Sequence, residues 1–199
     1  KVLPMNTGVE GGESAIKLSR MWGYKKKGVT DNEAVNLFCS NNFWGRTLAA
    51  SSTSNDPLCY NHTGPFMRGF EVIPFNCIKS LENAFKVNPN IVSFMLEPIQ
   101  GEAGIIIPDD GYLTKVKELC KQYNVLMIAD EVQTGLGRTG KLLACDYEEV
   151  RPDILILGKA LSGGMMPISA VLADTDVMEV MTPGTHGSTF GGSPLAAAV

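Results

Sequence analysis

A single lysine follows one of the most apolar stretches of the chain. Lys159 stands between the apolar segment 153–157 (DILIL) and the glycine pair at 163 and 164. A lysine amine can bond covalently to an aldehyde, and burial or nearby positive charge lowers its pKa into the reactive range. A lysine at the end of a strand can also simply extend its amine to water. Taken alone, the residue leaves both interpretations open.

Carboxylates follow two other apolar stretches. Asp130 and Glu131 end the segment 125–131, and Glu97 ends the segment 91–97. A lone acidic residue in such a place often caps the next helix. A carboxylate can also keep the nitrogen of a pyridine ring protonated, which makes that ring an electron sink.

A glycine-rich segment, NTGVEGGESAIKL at 6–18, precedes a helical pattern and could bind an anion. Small residues let the backbone approach a phosphate, and the free N–H groups of a first helical turn favour negative charge. The segment matches neither GxxxxGK[ST] nor GxGxxG, and a tight turn before a helix remains the alternative. In combination with Lys159 and Asp130, it suggests pyridoxal phosphate, whose aldehyde could bond to the lysine.

The elements that must position these residues alternate along the chain. Apolar runs predict strands at 35–39, 70–75, 91–97, 125–131, 153–158 and 168–173. Apolar residues at helical spacing predict helices around 15–22 and 112–123. Such alternation implies an α/β fold, with a mostly parallel sheet and helices on both faces. Because ligands bind these sheets at the carboxyl ends of the strands, Lys159 and Asp130 are well placed for chemistry.

The composition favours a globular domain that binds small solutes. The 199 residues include 17 basic and 21 acidic side chains, a net charge of −4, which gives no reason to expect nucleic acid or a membrane as partner. No apolar run approaches the ~20 residues of a membrane span. Five scattered cysteines and two histidines argue for reduced thiols and against a metal site. We expect residues 1–199 to form one domain, as a segment of a longer chain that lacks both terminal parts.

Five segments resemble, in the same order, the ω-aminotransferase subgroup of the fold-type I pyridoxal-phosphate enzymes. They are NFWGRTLAASS (42–52), EPIQGEAG (97–104), IADEVQTGLGRTG (128–140), GKALSGG (158–164) and HGSTFGG (186–192). The resemblance covers essentially the whole chain and implies that residues 1–199 are the large cofactor-binding domain. Trp44 favours the members that act on ornithine, because the related enzymes for acetylornithine usually carry a histidine there.

The resemblance implies a cofactor role for nine residues. Lys159 would form a Schiff base with pyridoxal phosphate and then move the proton in catalysis. Asp130 would pair with the ring nitrogen, and Gln133 would hydrogen-bond the ring hydroxyl. The other cofactor contacts would come from Thr7, Gly8, Val9 and, across a subunit boundary, Ser188 and Thr189 at the phosphate, and from Phe43 stacked on the ring. Without the resemblance, Phe43 would be interpreted as core, and Ser188 and Thr189 as a turn.

Two further residues are implied to meet the substrate. Arg46 would bind a substrate carboxylate, although its type and position are also compatible with a helix cap. Glu102 would pair with an arginine beyond the C-terminal end of this chain and thereby switch the site between the amino donor and 2-oxoglutarate.

The function that the resemblance implies is transfer of the δ-amino group of L-ornithine to 2-oxoglutarate, which gives glutamate-5-semialdehyde and glutamate. The partners would be amino-acid and 2-oxo-acid substrates and a second copy in a homodimer. We expect a cytoplasmic location, with the mitochondrial matrix as the alternative. Other ω-aminotransferases, acting on 4-aminobutyrate or N-acetylornithine, and a noncatalytic protein that retains the fold are the alternatives for function.

Overall fold

Seven strands form one sheet, and six of them run in the same direction. The computed structural model describes residues 1–199. The strands are β1 (Val2–Met5), β2 (Val35–Cys39), β3 (Phe70–Ile73), β4 (Ile91–Leu96), β5 (Leu126–Asp130), β6 (Ile154–Leu157) and β7 (Ser169–Ala173). Their order across the sheet is β1-β7-β6-β5-β4-β2-β3, and only β7 is antiparallel to its neighbours. The predicted α/β fold with a mostly parallel sheet is confirmed.

Helices cover both faces of this sheet, as predicted. The α-helices are α1 (Gly8–Trp22), α2 (Leu48–Thr53), α3 (Pro57–Tyr60), α4 (Ile78–Val87), α5 (Tyr112–Gln122), α6 (Thr175–Met178) and α7 (Pro194–Ala198). A π-helical turn at Gly23–Lys27 and 3-10 helices at Ala144–Tyr147 and Lys159–Ser162 complete the regular structure.

Two separate apolar cores lie on the two faces. One core contains Leu18 of α1 and Ile128 of β5, whereas the other contains Val116 of α5 and Met127 of β5. Successive side chains of a strand point to opposite faces, so one strand supplies both cores. This double burial explains why the strand sequences are almost continuously apolar.

Helix α1 begins earlier than the apolar spacing indicates, because its first turn is fixed by a capping box. Thr7 accepts the N–H of Glu10 at 3.3 Å, and the Glu10 carboxylate accepts the N–H of Thr7 at 2.7 Å. The glycines that follow let α1 lie close to its neighbours. A Cβ on Gly11 would lie 2.8 Å from Ile156, and one on Gly12 would lie 2.6 Å from the Trp44 ring. Gly11 and Gly12 are therefore explained by the close packing of α1 rather than by anion binding.

The predicted strands are all present, with small shifts at their ends. Strand β3 ends at Ile73 rather than at 75, and β4 ends at Leu96, one residue before Glu97. The five cysteines are unpaired. No helix is both long and apolar enough to cross a lipid bilayer.

Candidate active site

A cavity of about 240 Å³ opens at the carboxyl ends of four neighbouring strands. It is reached by the loops after β2 and β4, by the end of β5 and by Lys159, which follows Gly158. The first turn of α1 lies beside these segments. Its lining consists of Gly8, Val9, Phe43, Trp44, Gly45, Glu97, Ile99, Glu102, Asp130, Val132, Gln133, Thr134 and Lys159. The structure thus brings together seven of the eleven residues predicted to form the site.

Asp130, the last residue of β5, is buried, with only 7% of its surface exposed. Its Oδ1 accepts the N–H of Val132 at 3.1 Å, and this is the only hydrogen bond to the carboxylate within the chain. The pKa of Asp130 is raised to about 7, mainly by burial and then by the nearby Glu97, while the Val132 N–H and Lys159 act in the opposite direction. A cationic hydrogen-bond donor would therefore be strongly favoured beside Asp130.

Lys159 lines the cavity with a side chain that makes no hydrogen bond and no ion pair within the chain. Its backbone has a φ of +43°, in the left-handed region that residues other than glycine seldom occupy. Such a conformation costs on the order of 1 kcal/mol and is concentrated at functional sites. The lysine is therefore exposed at the cavity by a strained turn at the end of β6, and its amine is free to react.

The first turn of α1 presents two free N–H groups at the cavity. Gly8 and Val9 line it, and neither backbone N–H has an acceptor within the chain. The N-terminal end of a helix of this length attracts anions through such groups and through the helix dipole. Thr7 itself does not line the cavity, because its side chain caps the helix and its carbonyl accepts the hydroxyl of Ser169.

The loop after β2 places Phe43 at the cavity and Arg46 outside it. The Arg46 guanidinium lies 5.7 Å from the centroid of the Phe43 ring, within the range of a cation–π contact. Arg46 is exposed and caps no helix, since the N-cap of α2 is Thr47. The helix-cap interpretation of Arg46 is therefore wrong.

Glu102 and Gln133 meet across the cavity. Nε2 of Gln133 donates to Oε1 of Glu102 at 3.4 Å. A Cβ on Gly101 would lie 1.4 Å from Oε1 of Gln133, so any other residue there would displace this amide. The turn at Gly101 thus fixes where the Gln133 side chain can lie.

Ser188 and Thr189 do not line the cavity. Oγ of Ser188 accepts hydrogen bonds from Asn6 at 2.8 Å and from the N–H of Gly191 at 3.0 Å. Thr189 is exposed, and its side chain makes no hydrogen bond within the chain. Within one copy, these two residues therefore form a turn docked on the segment that leads into α1.

The sequence analysis assigns no role to several residues of the cavity. The sequence marks Glu97 only as a carboxylate at a strand end, and it carries no signal for Val132. Val132 nevertheless packs against Gly8, because a Cβ on Gly8 would lie 2.8 Å from a methyl group of Val132. Trp44 is buried, its ring is stacked on Phe38 with centroids 5.8 Å apart, and it donates to the hydroxyl of Thr53. Trp44 therefore supports the wall of the cavity as well as lining it.

The whole chain matches one family model and is similar to curated proteins along its full length. Residues 1–199 match the family described as aminotransferase class-III. The mitochondrial ornithine aminotransferase of Drosophila melanogaster is 64% identical over 199 residues, which are 100% of this chain and 46% of that protein. The mitochondrial enzyme of Rattus norvegicus is 62% identical over 195 residues, covering 98% of this chain and 44% of that protein. The chain thus spans about half the length of these relatives.

Solved structures agree with this similarity. The ornithine aminotransferase of Toxoplasma gondii superimposes with a TM-score of 0.98 at 56% identity, covering 100% of this chain and 47% of that one. The acetylornithine aminotransferase of Elizabethkingia anophelis superimposes with a TM-score of 0.85 at 52% identity, covering 100% and 46%.

Proposed function

Because the chain belongs to the class-III aminotransferase family, we propose that the whole protein is a pyridoxal-phosphate-dependent ornithine aminotransferase. It transfers the δ-amino group of L-ornithine to 2-oxoglutarate and gives glutamate-5-semialdehyde and glutamate. The observation that carries the proposal is the convergence of Lys159, Asp130 and the first turn of α1 on one cavity. Residues 1–199 form the large cofactor-binding domain in this proposal.

The cavity residues fit pyridoxal phosphate. Asp130 is buried with one neutral donor and a raised pKa, and a protonated ring nitrogen would supply both the positive charge and the second donor. The free N–H groups of Gly8 and Val9 suit a phosphate. When bound, the cofactor supplies an aldehyde that reacts with amines and a ring that accepts electrons.

Lys159 is the catalytic residue of the proposed reaction. Its amine would hold the cofactor through the aldehyde. Once free of the cofactor, the amine would act as the general base that takes the proton from the substrate carbon bearing the reacting amino group. The absence of an ion pair to Lys159 within the chain supports this role, because a paired ammonium would have to be freed first.

The other cavity side chains orient the reactants. Asp130 would accept a hydrogen bond from the ring nitrogen and keep that nitrogen protonated, Gln133 would donate to the ring hydroxyl, and Phe43 would flank the ring. Thr7 contributes indirectly, since its capping box with Glu10 fixes the turn that carries Gly8 and Val9. These roles are supported by proximity to the cavity and by the free hydrogen-bonding groups described above.

Substrate recognition involves Arg46 and Glu102. An exposed guanidinium can bind a carboxylate through two parallel hydrogen bonds, and the contact with Phe43 holds Arg46 near the cavity mouth. Glu102 lines the cavity, and we expect it to pair with an arginine of the whole protein outside residues 1–199. The observation that favours a second candidate, an acetylornithine aminotransferase, is the 52% identity to that enzyme from Elizabethkingia anophelis.

Initial rates with a panel of amino donors test the proposal. With the full-length protein, pyridoxal phosphate and 2-oxoglutarate, we expect kcat/KM to be much higher for L-ornithine than for N-acetylornithine or 4-aminobutyrate. A preference for either of the other donors would replace the substrate and keep the reaction. No turnover, together with no shift of the visible absorbance on addition of amine, would favour the noncatalytic alternative.

The proposed assembly is a homodimer in which Ser188 and Thr189 reach the phosphate bound by the other subunit. Their position away from the cavity of their own chain supports this arrangement. Mixed dimers that carry Lys159→Ala in one subunit and Thr189→Glu in the other contain one intact site if Thr189 acts across the boundary. Roughly half of the wild-type activity should then return. Activity no higher than that of the Thr189→Glu homodimer would exclude the cross-subunit role.

For location, the relatives point away from the cytoplasmic expectation. The proteins of Drosophila melanogaster and Rattus norvegicus are named mitochondrial, and these names favour the matrix alternative. Fractionation of cells that express the full-length protein would decide between the two compartments.

A further inference from the structure

Glu97 is the one carboxylate of the cavity to which the proposed reaction gives no role. It follows β4, which lies between β2 and β5 in the sheet. Its neighbours at the same edge are therefore the loop that carries Phe43 and the end of β5 that carries Asp130. The Glu97 carboxylate therefore lies between two sides of the site.

The two oxygens of Glu97 accept hydrogen bonds from two different loops. Oε1 accepts the N–H of Phe43 at 3.0 Å, and Oε2 accepts the N–H of Gly101 at 3.3 Å. Phe43 follows β2, and Gly101 lies in the turn after β4, so Glu97 joins its own turn to a residue 54 positions earlier in the chain. Only an ionised carboxylate offers two such acceptors, because a glutamine would turn an N–H₂ group towards one of the N–H donors.

The position of the Gly101 turn also determines where two further cavity side chains lie. Its Cα faces the amide of Gln133 so closely that a Cβ would lie 1.4 Å from Oε1. Gln133 in turn donates to Glu102, which neighbours Gly101 in the chain. A shift of the Gly101 turn would therefore displace Gln133 and Glu102 together.

The charge of Glu97 also affects its neighbour. Burial raises the pKa of Glu97, while the N–H groups of Phe43 and Gly101 favour the ionised form. Glu97 in turn contributes to the raised pKa of Asp130. The positive charge of Lys159 lowers the pKa of both Glu97 and Asp130 and so acts against these increases.

We propose that Glu97 is a positioning residue, whose carboxylate fixes the Phe43 loop relative to the Gly101–Glu102 turn and thereby holds the cavity in the shape that orients the cofactor ring. This inference rests on the proposed function, because it deepens the account of the same site. Glu97 touches no reacting atom in it and acts through Phe43, Gly101 and Gln133.

The test compares Glu97→Gln with Glu148→Gln in the full-length enzyme. Glu148 is a matched control, since its carboxylate also accepts a backbone N–H, that of Thr114 at 2.8 Å, but it does not line the cavity. In Glu97→Gln we expect the amides of Phe43 and Gly101 to exchange hydrogen at least about tenfold faster. A misplacement of this kind costs up to about 10²-fold in rate, so we expect kcat to fall about 10- to 100-fold with a smaller change in KM.

The circular dichroism of the bound cofactor adds a readout that a purely structural role would not change. The visible band of the ring should lose intensity in Glu97→Gln and keep it in Glu148→Gln, at equal melting temperature. Unchanged amide exchange, dichroism and kcat in Glu97→Gln, or equal losses in both variants, would overturn the proposal.

Hydrogen exchange in the unsubstituted enzyme provides a check if Glu97→Gln does not fold. Phe43 and Gly101 should exchange more slowly than Asn42 and Glu102, whose N–H groups have no acceptor within the chain. Equal exchange at all four positions would contradict the inference. This measurement needs no substrate, so a failure of the ornithine reaction would not be confused with a failure of the role given to Glu97.

Discussion

Asp130 and Glu131 are adjacent carboxylates at the end of β5 with very different surroundings. Asp130 faces the cavity and accepts one N–H. Glu131 is 1% exposed and accepts the N–H groups of Ala144 at 3.0 Å and Cys145 at 2.8 Å, as well as the hydroxyl of Thr134. A buried carboxylate with its full set of donors is an anchor for the chain, whereas one that lacks donors keeps the capacity to bind a cation.

The alternation of a strand explains how neighbours in sequence come to differ so much. Successive side chains point to opposite faces of the sheet, so Asp130 and Glu131 cannot share their surroundings. Glu131 ties the segment at 144–145 back to β5 and so fixes the long loop between them. The cavity and this anchor are therefore separable by mutation.

The largest effect is expected at Lys159. Lys159→Ala removes the amine that bonds to the cofactor and moves the proton, so turnover should fall by more than about 10³-fold. The side chain has no hydrogen bond within the chain, and the melting temperature should stay near that of the wild type. Borohydride reduction of the wild type should fix the cofactor to a peptide that contains Lys159. Labelling of another lysine would refute the assignment.

The substitutions Asp130→Asn and Glu131→Gln should affect different properties, the first activity and the second stability. Asp130→Asn removes the charge beside the ring nitrogen and should lower kcat/KM by about 10²- to 10³-fold, with little loss of stability. Glu131→Gln leaves a buried N–H unpaired and should cost about 1–3 kcal/mol in the free energy of unfolding. Urea unfolding and initial rates, measured on both variants, separate the two roles. If Glu131→Gln lowered kcat/KM without lowering the free energy of unfolding, Glu131 would not be the structural anchor described above.

The pH dependence of stability should differ between Asp130→Asn and the wild type, both without cofactor. The pKa of Asp130 is about 7 in the folded chain, against about 3.9 for an unfolded aspartate. The folded state therefore holds a proton that the unfolded state has lost, and the stability that this proton confers is lost as the pH rises through about 7. The free energy of unfolding of Asp130→Asn relative to the wild type should therefore increase from roughly pH 4 to roughly pH 7 and level off at higher pH. A difference that does not vary with pH would contradict the burial of an uncompensated carboxylate.

The smallest effect is expected at Gly101. In Gly101→Ala the new methyl group would displace the amide of Gln133, which is the flexible end of a side chain and can move away. We expect at most about a tenfold loss in kcat/KM, since one neutral hydrogen bond to the cofactor is weakened. Gly104→Ala is the control, because a Cβ there would meet no atom within 4 Å, although its φ of +110° adds some backbone strain. Equal activity of Gly101→Ala and the wild type would show that Gln133 does not need its observed position.

Motifs and strand ends made much of the cavity predictable. Seven of the eleven predicted residues line it, because glycine-rich turns and strand ends are local features that determine which residues reach the carboxyl edge of the sheet. The family and the fold class were confirmed by the comparisons and by the sheet. The roles of the individual residues stay predictions.

Thr7, Arg46, Ser188 and Thr189 are the four that do not line the cavity. Each belongs to a turn or a loop, where the direction of a side chain depends on contacts with distant segments. Thr7 is engaged in the cap of its own helix, and Ser188 is held by Asn6, 182 positions away. Such contacts leave no periodic trace in a sequence.

By itself, the sequence determined the order of strands and helices, the parallel sheet and the placement of Lys159 and Asp130 at strand ends, because short-range hydrophobic periodicity and turn residues dictate those features. Only the tertiary structure decided which of the neighbouring carboxylates Asp130 and Glu131 lacks hydrogen-bond donors, and that Glu97 joins two loops across the cavity. The reason is physical. Burial and hydrogen bonding of a charge depend on groups that the fold brings together from distant positions, such as the N–H of Phe43, 54 residues before its acceptor.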